Sequence, residues 1–338
     1  METSDLTSLT ESALMDKRIR DMPLSLEDTA LERLIAQLYR ELSEKNLLFH
    51  PPCFLADEWF CPVGVPAIGI PFYLAHRRLR KLEKKIMLEV EGGSRREFLR
   101  LMRHEAGHAY SYAFNLYKKK QWRELFGSAS EEYRDTYRPR PYSRAFVTHL
   151  DNWYAQSHPD EDFAETFAVW LTPGMDWRKK FRGWKALEKL EYVDALMKTL
   201  AMKNPVCKPA SDLRIFAGLS MKLGTYYKRK KKLFEEDYPD FHDKSLRSLF
   251  TSVPEERSES KASRYLRRNH EKILSPVTRW TREKRYTVDK LMRKLIERCD
   301  ALNLYVRRDD EQTDFAVAAY ITTLISNHLF TGKFKRSK

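Results

Sequence analysis

The chain is short of glycine, of cysteine and of long apolar runs, and each shortage removes a class of protein. Eleven glycines among 338 residues leave little material for the many tight turns of an all-β fold and point to helices. Four cysteines, Cys53, Cys61, Cys207 and Cys299, are too few and too scattered for a disulfide scaffold. No apolar run reaches the roughly 18 residues that a membrane-spanning helix needs. The first twenty residues lack a basic stretch followed by an apolar one, the mark of a secretory signal. The expectation is a cytoplasmic protein with reduced thiols.

What is present is charge and helical periodicity. Apolar residues make up 42% and charged residues 33%, enough for a packed core under a densely charged surface. The net charge of +14 is uneven. Residues 1–60 carry 6 basic and 12 acidic groups, and residues 211–338 carry 29 basic and 18 acidic groups. A basic C-terminal third can meet nucleic acid or an acidic partner, although such a balance is also what a solvated helical surface shows. "YYKRKKKLF" (226–234) mixes aromatics with cations in the manner of a nucleic-acid contact.

Along the chain, residues 1–22 are polar and unpatterned and read as a flexible N-terminus. A helix follows, with Ser25 as its cap, Asp28 in its first turn, and Leu31, Leu34, Ile35, Leu38 and Leu42 on one face. Residues 49–76 are rich in proline, aromatic and β-branched residues. They hold the strands, above all Ile68 to Leu74, as a small sheet with an edge able to pair with an extended peptide. Residues 77–90 read as a basic amphipathic helix that ends at Gly92 or Gly93. Ser94 then opens a capping box with Glu97. After a loop at 127–145 with an arginine-rich part (134–144), Pro159 starts another helix that ends at Pro173-Gly174. Helices near 184–202 and 311–330 are apolar on one face. "KNPVCKPAS" (203–211) marks a boundary. The organisation expected is a domain over 23–205 and a basic helical region over 211–338.

The capped helix carries "MRHEAGHAY" (102–110). Residues four apart share a helix face, so His104 and His108 can present imidazole nitrogens to one ion. Glu105, about 100° round the helix, cannot easily join them but can reach a water held there. H-E-x-x-H is the sign of that arrangement with zinc. Gly107 costs about 1 kcal/mol of helix stability relative to alanine, and is easier to explain if something packs against the backbone. A catalytic zinc usually takes three protein ligands, and "HPDEDFAETFA" (158–168) is the rich source of a third. Acidic residues favour helix N-termini anyway, which accounts for Asp160 and Asp162. It does not account for Glu165, deep in an apolar stretch. Glu161 is read as the third ligand and Glu165 as the acceptor that fixes a ligand histidine's tautomer; the reverse assignment stays open. Tyr154 is the first candidate to donate to a developing oxyanion and His149 the second. His158 reads as a helix-entry residue.

"RHEAGHAY" with "HPDEDFAETFAVWL" resembles the zincin metallopeptidases of the glutamate-third-ligand type, the gluzincins, and more closely a bacterial family described only as zinc-binding metallopeptidases. The resemblance spans roughly residues 65–205 and is specific at the two motifs. It implies a mostly α (α+β) fold with a zincin-like helix pair and a small sheet. It also implies a zinc-dependent hydrolase of peptide bonds acting on a peptide or protein. By position it implies His104, His108 and Glu161 as zinc ligands and Glu105 as catalytic base. The gap from His108 to Glu161 is longer than in many gluzincins. A second reading is a non-catalytic zinc-binding scaffold whose basic C-terminal region binds nucleic acid or a protein.

Overall fold

Apolar residues three and four apart become buried helix faces along most of the chain. The computed structural model describes residues 6–133, 137, 139–232, 242–253, 260–307 and 311–331. By its internal contacts the chain divides into two units, Met1–Ile86 with Val90–Lys228, and Arg229–Lys338 with Met87–Glu89. In chain order the helices are α1 (Glu11–Asp16), α2 (Ala30–Ser43), α3 (Arg77–Met87), α4 (Arg95–Ala113), α5 (Lys120–Phe126), α6 (Pro159–Leu171), α7 (Trp177–Lys180), α8 (Ala186–Leu200), α9 (Leu223–Lys232), α10 (Asp243–Leu249), α11 (Ala262–Arg268), α12 (His270–Thr281), α13 (Arg285–Ala301) and α14 (Glu311–Thr331). The described sheet is small: β1 (Cys53–Ala56) runs parallel to β2 (Ile68–Pro71), with Cys53 opposite Ile68. The architecture is mostly α with a minor sheet, as expected.

Several local details depart from the sequence expectation. The second helix is capped by Thr29, whose hydroxyl accepts from the Leu31 N–H at 3.1 Å, and not by Ser25. Asp28 has φ of 56°, a left-handed conformation in which no helix continues. Strand β2 stops at Pro71, and Phe72–Ala75 coil into a 3-10 turn instead of extending the strand to Leu74. All four residues of β2 are buried, so this strand offers no open edge to a peptide. In place of a flexible stretch, residues 11–21 form α1 and a turn with Leu14 and Ile19 buried. The Ile19 and Arg20 N–H groups donate to the carbonyls of Met221 and Leu219. These bonds, with Leu223 N–H to the Lys17 carbonyl, explain why residues 211–228 group with the first unit.

In the first unit the densest packing is between α4 and α6. Every residue of α6 is buried, because apolar residues lie on all its sides: Phe163, Phe167 and Trp170 share one face, and Ala168 and Val169 cover the others. From His104 to Ala113, α4 is buried as well. Its outer attachment is to α2, where Arg103 grips Glu41 with two hydrogen bonds of 2.7 and 2.8 Å. In the second unit α10–α14 close around an aliphatic core that includes Leu266, Ile273, Leu274, Met292, Leu295 and Ile321. The apolar face of α14 packs there through Val317, Ile321 and Ile325.

Candidate metal centre

Two helix starts set the site. Ser94 caps α4 by accepting from the Glu97 N–H at 3.2 Å. His158 caps α6, its Nδ1 accepting from the Asp160 N–H at 3.1 Å, with Pro159 at the first helical position. The two helices then pass so close at Gly107 that a side chain there would not fit. A Cβ built on Gly107 would lie 2.7 Å from the Ala164 Cα and 3.1 Å from its carbonyl oxygen. This is the close packing that the glycine inside the motif led one to expect. It puts the His104–His108 face of α4 against the Glu161–Glu165 face of α6.

The facing groups converge. His104 Nε2 lies 2.9 Å from Glu161 Oε2, and His108 Nε2 lies 3.2 Å from the same oxygen. The two Nε2 atoms are 3.2 Å apart. One ligand atom from each of these three residues falls within 4.8 Å of the others, and all three side chains are buried. Glu165 lies outside this triangle and holds it. Its Oε1 accepts from His104 Nδ1 at 2.9 Å, and its Oε2 accepts from the N–H groups of His149 (3.2 Å) and Leu150 (2.7 Å). With Nδ1–H donated to Glu165, Nε2 is the His104 nitrogen that faces Glu161 and His108, and it offers a lone pair once its own proton is lost. Two imidazole nitrogens and one carboxylate oxygen, buried and with one tautomer fixed, form a donor set that suits zinc.

The electrostatics follow from burial and proximity. Burial disfavours a charge on His104, but Glu161 and Glu165 outweigh it and hold its pKa well above the ordinary histidine value. Burial likewise works against the Glu161 carboxylate, yet His108 and His104 hold its pKa well below the usual range. Glu105 is 6% exposed. Burial raises its pKa, with His104 and His108 pulling the other way. Asp162 is pushed up to about 7 by burial, against the pull of Lys189, whose ammonium it meets at 2.5 Å.

The remaining expected residues fall at different distances. Tyr154 opens a 3-10 turn, and its ring centroid lies 5.6 Å from that of His104. Burial, then the nearby Glu161, raises its hydroxyl pKa above the ordinary tyrosine value. His149 is committed elsewhere: its Nε2 is bonded to the Arg100 carbonyl at 2.9 Å, and burial lowers its pKa to about 4. Of the arginine-rich loop, Arg134 and Arg138 lie outside the described residues. Arg140 is tied by its backbone to Gln156 at 2.8 and 3.1 Å, on the turn that carries Tyr154.

Two participants were not foreseen. Tyr133 donates to Glu161 Oε1 at 3.1 Å; it sits in a loop with no periodic relation to either motif, so no signal in the sequence marks it. Lys189 was findable. It lies four residues before Val193 and seven before Leu196 on a buried face of α8, where a cation requires a buried partner.

Residues 75–194 match the family model described as "Putative zinc-binding metallo-peptidase". No curated protein and no solved structure matches the chain. Among the described residues, no helix is long and apolar enough to cross a membrane.

Proposed function

From a chain whose residues 75–194 fall within that zinc-binding metallo-peptidase family, we propose a zinc-dependent hydrolase of peptide bonds in which His104, His108 and Glu161 hold the metal. The observation that carries this reading is the buried convergence of His104 Nε2, His108 Nε2 and Glu161 Oε2, with a buried carboxylate, Glu105, in the next helical position. A purely structural metal site has no need of that carboxylate. When bound, zinc supplies a Lewis acid and draws the pKa of water towards neutrality.

The chain's own residues do the rest. Glu105 takes a proton from the attacking water onto its carboxylate and delivers it to the leaving nitrogen. Glu165 keeps the His104 ring from rotating and its proton on Nδ1. Tyr154, beside the His104 ring, is the hydroxyl donor for the carbonyl oxygen as it gains negative charge. The substrate is a peptide or protein.

Metal content tests the assignment. Wild type, Glu161→Ala and Glu165→Ala, each dialysed without added metal, are compared by elemental analysis. We expect about one zinc per wild-type chain, none in Glu161→Ala, and affinity weakened roughly 10- to 100-fold in Glu165→Ala. The reversed pattern would exchange the two roles, and a wild type that takes up no metal on titration would end the metallopeptidase reading.

A second role is favoured by one observation in the second unit. Trp280 is 80% exposed at the end of α12, among the exposed Arg279, Arg282 and Lys284. Aromatic faces between cations suit single-stranded nucleic acid. Binding that weakens steeply with salt would support this role.

A further inference from the structure

We propose that Tyr133 is a positioning residue that restricts Glu161 to a single donor oxygen. The inference rests on the reading of His104, His108 and Glu161 as the metal-binding set. The two oxygens of Glu161 have separate partners: Oε2 faces the two imidazoles, while Oε1 accepts the Tyr133 hydroxyl at 3.1 Å. A carboxylate with one oxygen engaged by a phenol O–H presents the other alone. Without that bond, Oε1 is free to turn towards the same point as Oε2.

The phenol is held in place from several sides. Its ring lies flat on His158, with centroids 3.7 Å apart and planes at 15°. His158 is itself fixed: Nδ1 accepts from the Asp160 N–H, so the ring proton sits on Nε2 and is donated to the Glu131 carbonyl at 2.9 Å. Earlier in the same segment, Gly127 has φ of 111°, and a Cβ there would meet Pro159 Cγ at 3.1 Å. Residues 127–133 are thus moored to the first turn of α6 at Pro159, His158 and Glu161. Tyr133 is 52% exposed, yet its hydroxyl reaches a carboxylate that is only 5% exposed. That is poor use of a large aromatic ring for burial, and good use of it for orienting one atom.

The test uses the full chain, wild type and Tyr133→Phe, with Zn2+ and Co2+ as probes. Tyr133→Phe keeps the stacking on His158 and removes only the hydroxyl. We expect its Zn2+ affinity, measured by chelator competition, to fall about 10- to 100-fold. The visible absorption of its Co2+ complex should change in position or intensity as the coordination changes, with the far-ultraviolet circular dichroism unaltered. Tyr133→Ala, which also removes the stacking, should bind more weakly still. Wild-type Zn2+ affinity and a wild-type Co2+ spectrum in Tyr133→Phe would overturn the inference while leaving the metal centre standing. A wild-type chain that takes up neither metal would overturn the metal centre and this inference with it.

Discussion

The α4–α6 interface in the first unit and the α12–α14 interface in the second are both buried helix contacts, built from opposite materials. Along α4 and α6, His104, Glu105, His108, Asp160, Glu161, Asp162 and Glu165 are all buried. Among the described residues, Asp162 is the one of these acids that pairs with a lysine or arginine, Lys189 of α8. Between α12 and α14 lie Ile273, Leu274, Val277, Val317 and Ile321. Acids in that unit meet cations that reach solvent: Asp314 pairs with Lys272, Asp289 with Arg293 and Asp243 with Arg298. Burying ionisable groups together opposes folding, so a helix pair that does so is retained for what the groups do. The second interface needs no such explanation, because apolar burial stabilises it directly.

This contrast can be broken by substitution. The largest effect is expected from Glu105→Gln, which keeps the shape of the side chain and removes the proton acceptor. Peptide hydrolysis should fall by about 10²–10⁴-fold, while zinc content is kept and Tm stays level or rises, since a buried acid has been replaced by an amide. Turnover at the wild-type rate would remove Glu105 from the mechanism. Leu266→Ala probes the other interface type. Leu266 is fully buried in the aliphatic core, and its truncation should cost about 2–5 kcal/mol in denaturant unfolding. Zinc content should not change; a parallel loss of zinc would show that the two kinds of interface are not independent. A smaller loss of stability than that of Leu266→Ala is expected from Gly107→Ala. The added methyl gains about 1 kcal/mol of helix propensity but drives into the Ala164 backbone at a cost of about 1–3 kcal/mol, for a net loss of up to about 2 kcal/mol. Metal uptake should suffer more than stability does. A variant with wild-type Tm and wild-type zinc content would show that the contact between backbones is not what sets the site.

The site was more legible than its surroundings, for a physical reason. A helix converts spacing into direction, so His104, His108, Glu161 and Glu165 could each be assigned a face from the 3.6-residue period alone. Gly107 added information because a glycine in mid-helix is unfavourable without a close neighbour, and Ala164 is that neighbour. Loops carry no such rule. Tyr133 reaches Glu161 from 28 residues away through a path that no periodicity describes. His149 was an attractive donor by residue type, yet its ring serves the Arg100 carbonyl. Boundaries failed where a single residue's backbone decided them. Asp28 in a left-handed conformation moved the helix cap from Ser25 to Thr29. Pro71, with no N–H to offer a ladder, ended the strand three residues before Leu74.

The distance along the chain between the two motifs has its own consequence. His108 and Glu161 are 53 residues apart, and Glu165 stitches the intervening segment back by accepting from the N–H groups of His149 and Leu150. The entropy of closing a loop grows only with the logarithm of its length, so doubling a loop adds about 0.6 kcal/mol. The length of the segment is therefore a small obstacle to bringing the two motifs together, and the donors stay where α4 and α6 hold them. A long spacer between these motifs is weak evidence against a shared site.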